Sequence, residues 1–185
     1  DLCYARSTDG GSTWERSDGS KYELPITAAS AEYACRIPQK SELINQTSMY
    51  AYDSNLPVIA TYWNDSAGTV PQYRIVYKSG SEWKTQSLGF RNTPFSLSGA
   101  GTKRIPISRP QVIAWRGEHT IAVALIFRDA ERGNKISAAI NLNINANEWN
   151  LVDLSEYSVG SWEPSFDIEL WKEKKILNLF VQKVE

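Results

Sequence analysis

Apolar residues along this chain recur at every second position or in short unbroken runs, and almost nowhere at the three-to-four residue spacing of a helix. Pro57-Val58-Ile59-Ala60-Thr61-Tyr62-Trp63 and Ile121-Ala122-Val123-Ala124-Leu125-Ile126-Phe127 are continuous apolar stretches, rich in β-branched and aromatic residues and bounded by Asn, Asp, Gly and Ser. Such runs fit strands buried on both faces. Read this way, the chain predicts strands at 2–7, 57–63, 72–78, 83–88, 111–116, 120–127, 135–142, 149–154, 165–171 and 175–183. The fold class is therefore all-β.

The strands fall into a repeat. Three hairpins share a strand, a polar turn and then a tryptophan: Tyr4 to Trp14, Tyr77 to Trp83 and Asn143 to Trp149. The tryptophans are separated by 69 and 66 residues, longer than the roughly 40–50 residues of a common propeller blade but compatible with long connectors. The first hairpin carries Ser7-x-Asp9-x-Gly11-x-Thr13-Trp14, which matches the Asp-box of sialidase-type propellers. Asp9 can accept N–H bonds across the turn, Gly11 can take positive φ, and Trp14 can pack between sheets. The other two hairpins keep the tryptophan and lose the aspartate. The reading is of β-propeller blades of four antiparallel strands, in one partial domain: a half blade at 1–48, a blade at 49–88, a linker at 89–110, a blade at 111–154 and a half blade at 155–185. About three blades is fewer than the four to eight of a closed propeller. The expectation is part of a larger propeller, completed by an N-terminal half or by self-association. A small β-sandwich carrying one Asp-box is the other architecture the pattern allows.

Composition narrows the function. With 20 Lys and Arg against 21 Asp and Glu the net charge is −1, so no global field attracts nucleic acid or an anionic membrane. No apolar run approaches the ~20 residues of a spanning helix. Seven Trp and nine Tyr suit sheet packing and also sugar-stacking surfaces. Cys3 and Cys35 could form a disulfide, bind a metal or be buried thiols. Two sequons begin at Asn45 and Asn64. No metal-ligand spacing, phosphate loop or nucleophile elbow occurs, so no cofactor and no metal are assigned.

Propeller geometry sorts the loops. Turns joining first to second and third to fourth strands share the Asp-box face, and the remaining loops and blade connectors share the opposite face, where ligands are expected. That mouth carries Asn45, Gln46, Trp63, Gln72, Arg74, Arg104, Arg109 and Arg128. Arginine grips a planar carboxylate with two parallel hydrogen bonds, and Trp63 could stack on a sugar. Asp129 and Glu131 form either a glycosidase-type acid/base pair or a solvated turn in which Arg128 and Arg132 pair within the loop. The only histidine, His119, falls in a Gly-containing turn on the Asp-box face and is expected not to be catalytic.

Asp1-Leu2-Cys3-Tyr4-Ala5-Arg6-Ser7 running into the Asp-box resembles a family of bacterial neuraminidase-repeat (BNR) propellers. So do Leu43-Ile44-Asn45-Gln46, Tyr62-Trp63, Gln72-Tyr73-Arg74-Ile75-Val76-Tyr77 and Ile107-Ser108-Arg109-Pro110-Gln111. The family includes ulvan lyases and enzymes cleaving rhamnose from glucuronate in polysaccharides. The resemblance implies the C-terminal part of a secreted or periplasmic bacterial seven-bladed propeller acting on uronic-acid glycans. The family's catalytic histidines, tyrosine and one arginine would lie before residue 1. It implies a polysaccharide lyase or glycoside hydrolase whose substrate walls include Asn45, Gln46, Trp63, Gln72, Arg74, Arg109 and Arg128. A non-catalytic carbohydrate- or protein-binding propeller is the alternative, and a sialidase a weaker one. Arg-Ile-Pro occurs at 36–38 and 104–106, after the Asp-box where sialidases place it before.

Overall fold

The computed structural model describes residues 1–43, 47–52, 56–65, 68–118 and 120–185. Asn45, Gln46 and His119 lie outside the described residues. The architecture is all-β, built on antiparallel four-stranded sheets of the propeller-blade type. One sheet has the order β3(Ser48–Ala51), β4(Pro57–Trp63), β5(Gln72–Ser79), β6(Glu82–Ser87). The next runs β7(Gln111–Arg116), β8(Ile121–Asp129), β9(Lys135–Asn141), β10(Asn150–Asp153). On either side lie two-stranded sheets, β1(Leu2–Tyr4) with β2(Glu32–Cys35), and β11(Ser165–Phe166) with β12(Leu179–Phe180).

The sheets stack face to face, and the alternation of side chains explains the apolar runs. In β4, Val58, Ala60 and Tyr62 pack toward the β7–β10 sheet, with Tyr73, Ile75 and Tyr77 of β5 beside them. Ile59 and Trp63 point the opposite way, joining Val76, Tyr4 and Ala34 against the β1–β2 sheet. In β8 the same division sends Val123, Leu125 and Phe127 one way and Ile126 the other, onto Ile136, Val159 and Trp162. All residues of β4 and β8 are buried, as expected for strands covered on both faces.

Apolar contact is not directional, so a few polar links fix how the sheets register. Ser48 Oγ accepts from Val112 N at 3.0 Å between β3 and β7. Gln86 Nε2 donates to Ile144 O at 2.6 Å. The Tyr73 hydroxyl lies 3.1 Å from the carbonyls of both Ser108 and Arg128.

The Asp-box hairpin is closed by its own polar groups. Asp9 Oδ1 accepts from Thr13 N at 2.9 Å and its Oδ2 from Thr13 Oγ1 at 2.7 Å, while Gly11 N donates to Ser7 Oγ. Gly11 adopts φ 94°, where a side chain would be strained. These bonds, the backbone N–H of Thr13 first, hold the Asp9 carboxyl down at about 2. Trp14 differs from expectation. It is half-buried and donates its Nε1 to Gly11 O at 3.1 Å, so it folds over its own turn. Trp83 instead fills the inter-sheet position, 5.2 Å from the Tyr4 ring and bonded to Glu32.

Three further corrections concern the sequence pattern. The strand expected over 165–171 is only β11, followed by the helix α1(Ile168–Lys174). Asp167 caps that helix by accepting from Leu170 N at 2.9 Å, an N-cap arrangement. The last strand, expected over 175–183, shrinks to β12. Strands β2 and β3 were not anticipated. Cys3 and Cys35 are both free thiols. Among the described residues no helix is long and apolar enough to cross a membrane.

Candidate functional site

The site lies where β4, β5 and β8 meet the blade connectors, and the connector 104–110 builds its wall. Residues preceding Pro106 and Pro110 are biased to extended backbone. This lets 106–108 run beside the end of β8: Ser108 N donates to Arg128 O and Ala130 N to Pro106 O, both at 2.8 Å. Ser108 Oγ accepts from Arg128 N at 2.8 Å. The connector thus delivers Arg104 and Arg109 beside Arg128.

Arg128 is almost fully buried and clasped by acceptors. Its Nε donates to Trp162 O at 3.2 Å, and Nη1 reaches Ile105 O and Asn134 Oδ1 at 3.4 Å. Burial lowers its proton affinity; Tyr73, Glu163 and Asp129 oppose that, and the like charge of Arg104 adds to it. Arg104 and Arg128 line one cleft of about 320 Å³ with Pro106, Asn134 and Ser161. Arg104 has no carboxylate partner among the described residues.

Glu163 stands between Arg128 and Arg109. It accepts from Arg109 N at 2.9 Å but meets the two guanidinium groups only at 3.6 and 3.7 Å. Among the described residues, buried Arg109 Nε has no hydrogen-bond partner, and neither does the buried Tyr62 hydroxyl. Burial pushes the Tyr62 phenol up to about 12; Arg109 opposes the shift, Glu163 adds to it, and Arg128 and Arg91 oppose it. The phenol is therefore a neutral donor with no acceptor among the described residues. The arrangement is an electropositive, partly dry corner able to neutralise an anion and offer it a phenolic hydrogen bond.

The other expected residues are engaged elsewhere. Trp63 is only 3% exposed and sits in the core facing the β1–β2 sheet. Arg74 lies over its ring at 4.8 Å and pairs with Asp65 at 2.7 Å. The ring's area is spent between sheets, so the stacking surface expected of Trp63 is absent. Gln72 grips the backbone of Arg91, donating to its carbonyl at 2.8 Å and accepting from its N at 3.1 Å. Asn64, in the second sequon, donates to Gly68 O at 2.9 Å.

Asp129 and Glu131 are neither an acid/base pair nor a solvated turn. Asp129 is fully buried and accepts from Arg91 Nε at 2.7 Å and from Glu131 N. Glu131 accepts from Asn92 N and Thr93 N. Burial would raise its carboxyl, but those bonds, Thr93 first, outweigh burial and hold it below its ordinary value. Together they strap the 88–93 connector to β8. Arg132 pairs outside the loop, with Asp153. Arg91 and Tyr62 were missed from sequence; the motif Tyr62-Trp63 contained the right stretch, but burial selected the tyrosine for the site.

Residues 1–91 match the family described as BNR repeat-containing family members. That stretch covers the Asp-box hairpin and the β3–β6 sheet. No curated protein matches the chain. With antiparallel four-stranded blades, the match suggests a carbohydrate-active or carbohydrate-binding propeller-like fold.

Proposed function

We propose that this chain supplies the ligand-binding wall of a carbohydrate-active propeller, and that its ligand is a glycan carrying a carboxylate, as on a uronic acid. The observation that carries this reading is the facing pair Arg104 and Arg128 in one cleft, the first without a carboxylate partner among the described residues. Two neighbouring guanidinium groups disfavour each other's charge, and an incoming carboxylate relieves that repulsion while accepting hydrogen bonds from their planar forks. Arg109 Nε and the Tyr62 hydroxyl flank the corner as donors with no acceptor among the described residues.

In a lyase reading, the arginines neutralise the uronate carboxylate and so acidify the neighbouring C–H, whose proton a base removes as the glycosidic oxygen leaves with a proton from an acid. The residues placed here provide the neutralisation. In the alternative reading the same wall binds the glycan without turnover.

Titration calorimetry with glucuronate-containing and neutral oligosaccharides tests the ligand class. Selective binding of the uronate series, lost in Arg104→Ala and Arg109→Ala, supports it; equal binding of both series overturns it. Ultraviolet absorbance of an unsaturated uronate during incubation separates lyase from binder.

A further inference from the structure

A second groove lies next to the arginine corner. The bend at 40–42 lines a cavity of about 730 Å³ with Ile37, Pro38, Leu97 and Ser98, and Glu42 also borders a neighbouring cavity of about 410 Å³ with Asn64, Thr69, Phe95 and Ser96. Phe95 joins this groove to the first site: its ring lies 5.9 Å from that of Tyr62, edge to face.

Two observations mark the groove as built for a ligand. The Ser41 hydroxyl, in a residue only 4% exposed, lines the larger cavity and has no hydrogen-bond partner among the described residues, and Asn64 Oδ1 is likewise buried and without a partner among them. Leaving such groups unpaired costs free energy that a ligand hydroxyl or water recovers. The backbone around Ser41 is also held in an unfavourable form. Lys40 and Glu42 take φ 58° and 61°, a region non-glycine residues avoid unless their surroundings enforce it. The enforcement is visible: Asn64 N donates to Ser41 O at 2.8 Å, and the Glu42 carboxylate accepts from Leu97 N at 2.5 Å and Ser96 Oγ at 3.1 Å.

We propose that this groove is a subsite for an uncharged, hydroxyl-rich sugar unit next to the carboxylate-bearing one, stacked on Phe95 and hydrogen-bonded by Ser41 and Asn64. It rests on the function proposed above. The lining side chains carry two carboxylates, Asp1 and Glu42, against one ammonium, Lys40, which disfavours a second carboxylate, while Ser and Asn oxygens suit sugar hydroxyls. The two sites together select a glycan in which acidic and neutral units are neighbours.

The test uses amide NMR shifts and calorimetry with three probes: glucuronate, xylotriose, and xylotriose bearing one glucuronate. Xylotriose should shift the amides of 41–42 and 96–98 and the Asn64 side-chain amide, and leave Arg109 unmoved. The acidic tetrasaccharide should bind about tenfold tighter than glucuronate, the worth of one or two ligand hydrogen bonds. Ser41→Ala deletes only an unpartnered hydroxyl, and should lower that gain to about twofold, one such hydrogen bond being lost, with glucuronate binding unchanged. Asn64→Ala, which also releases the Gly68 contact, is the second variant. Xylotriose shifts without any glucuronate binding would leave this subsite standing and remove the anion site. Absence of shifts at 41–42, 64 and 96–98, with no affinity gained from the neutral units, would overturn the subsite.

Discussion

Arg91 and Asp129, 38 residues apart, form an ion pair sealed from solvent, Nε to Oδ2 at 2.7 Å. Burial raises the Asp129 carboxyl, against the opposing charge of Arg91. Truncating one member strands the other's charge in the interior, which typically costs about 3–5 kcal/mol. Asp129→Ala should therefore lower the unfolding free energy in urea by about that amount. The double variant Arg91→Met/Asp129→Ala should be less destabilised than the sum of the singles, because the two act as one unit. Simple additivity would show that the pair is not coupled.

Tyr62→Phe should separate stability from binding. The hydroxyl has no partner among the described residues, so deleting it removes a desolvation penalty of about 1–3 kcal/mol. Thermal unfolding should be unchanged or move upward, while uronate affinity falls. In the wild type, spectrophotometric titration should find one tyrosine ionising near pH 12. A destabilised Tyr62→Phe protein would mean that the hydroxyl already has a partner.

The Asp-box makes a pH prediction with a definite sign. Asp9 is held at about 2, below its ordinary 3.8, so the closed hairpin binds this proton more weakly than the open chain does. Its contribution is complete above the ordinary carboxylate value and is lost as pH falls through about 2. Carboxyl carbon NMR of Asp9, with the Thr13 amide shift moving in parallel, would follow the loss. A midpoint at the ordinary value would show that the Thr13 bonds are not formed in solution.

Gly160 anchors the C-terminal tail. Its φ is 66°, and a Cβ there would stand 1.7 Å from the Val184 carbonyl oxygen, which accepts from Ser161 N at 2.9 Å. Gly160→Ala pays for left-handed backbone, about 1–2 kcal/mol, and also dislodges Val184. Limited proteolysis should cut the variant near its C-terminus well before the wild type. Equal cleavage rates would show that the tail does not depend on this contact.

The central strands were legible because burial on both faces writes itself as unbroken apolar runs, as in 57–63 and 121–127. The helix α1 was hidden by coincidence of period. Phe166, Ile168 and Leu170 alternate like a strand, although Asp167, Glu169, Lys172 and Lys174 fit a capped helix. β2 and β3 are too short, at four residues each, to stand out from connectors. At the site, Arg104, Arg109 and Arg128 could be named because their positions follow from loop order. The partners of Arg91, Gln72 and Trp63 could not, since each depends on contacts between residues far apart in the chain.

Tyr73 touches carbonyls on the far side of a boundary that, among the described residues, no ladder of main-chain bonds crosses. Tyr62 stands on the near sheet, Arg128 belongs to the far one, and Arg109 to the connector that leads into it. The recognition corner is thus assembled across a slip plane, and its fit gauges how well two stacked plates are aligned. Tyr73→Phe removes a peg at that boundary without touching the ligand. A weaker grip on uronate in that variant, with little change in global stability, would mean that affinity here reports mechanical alignment as much as chemistry.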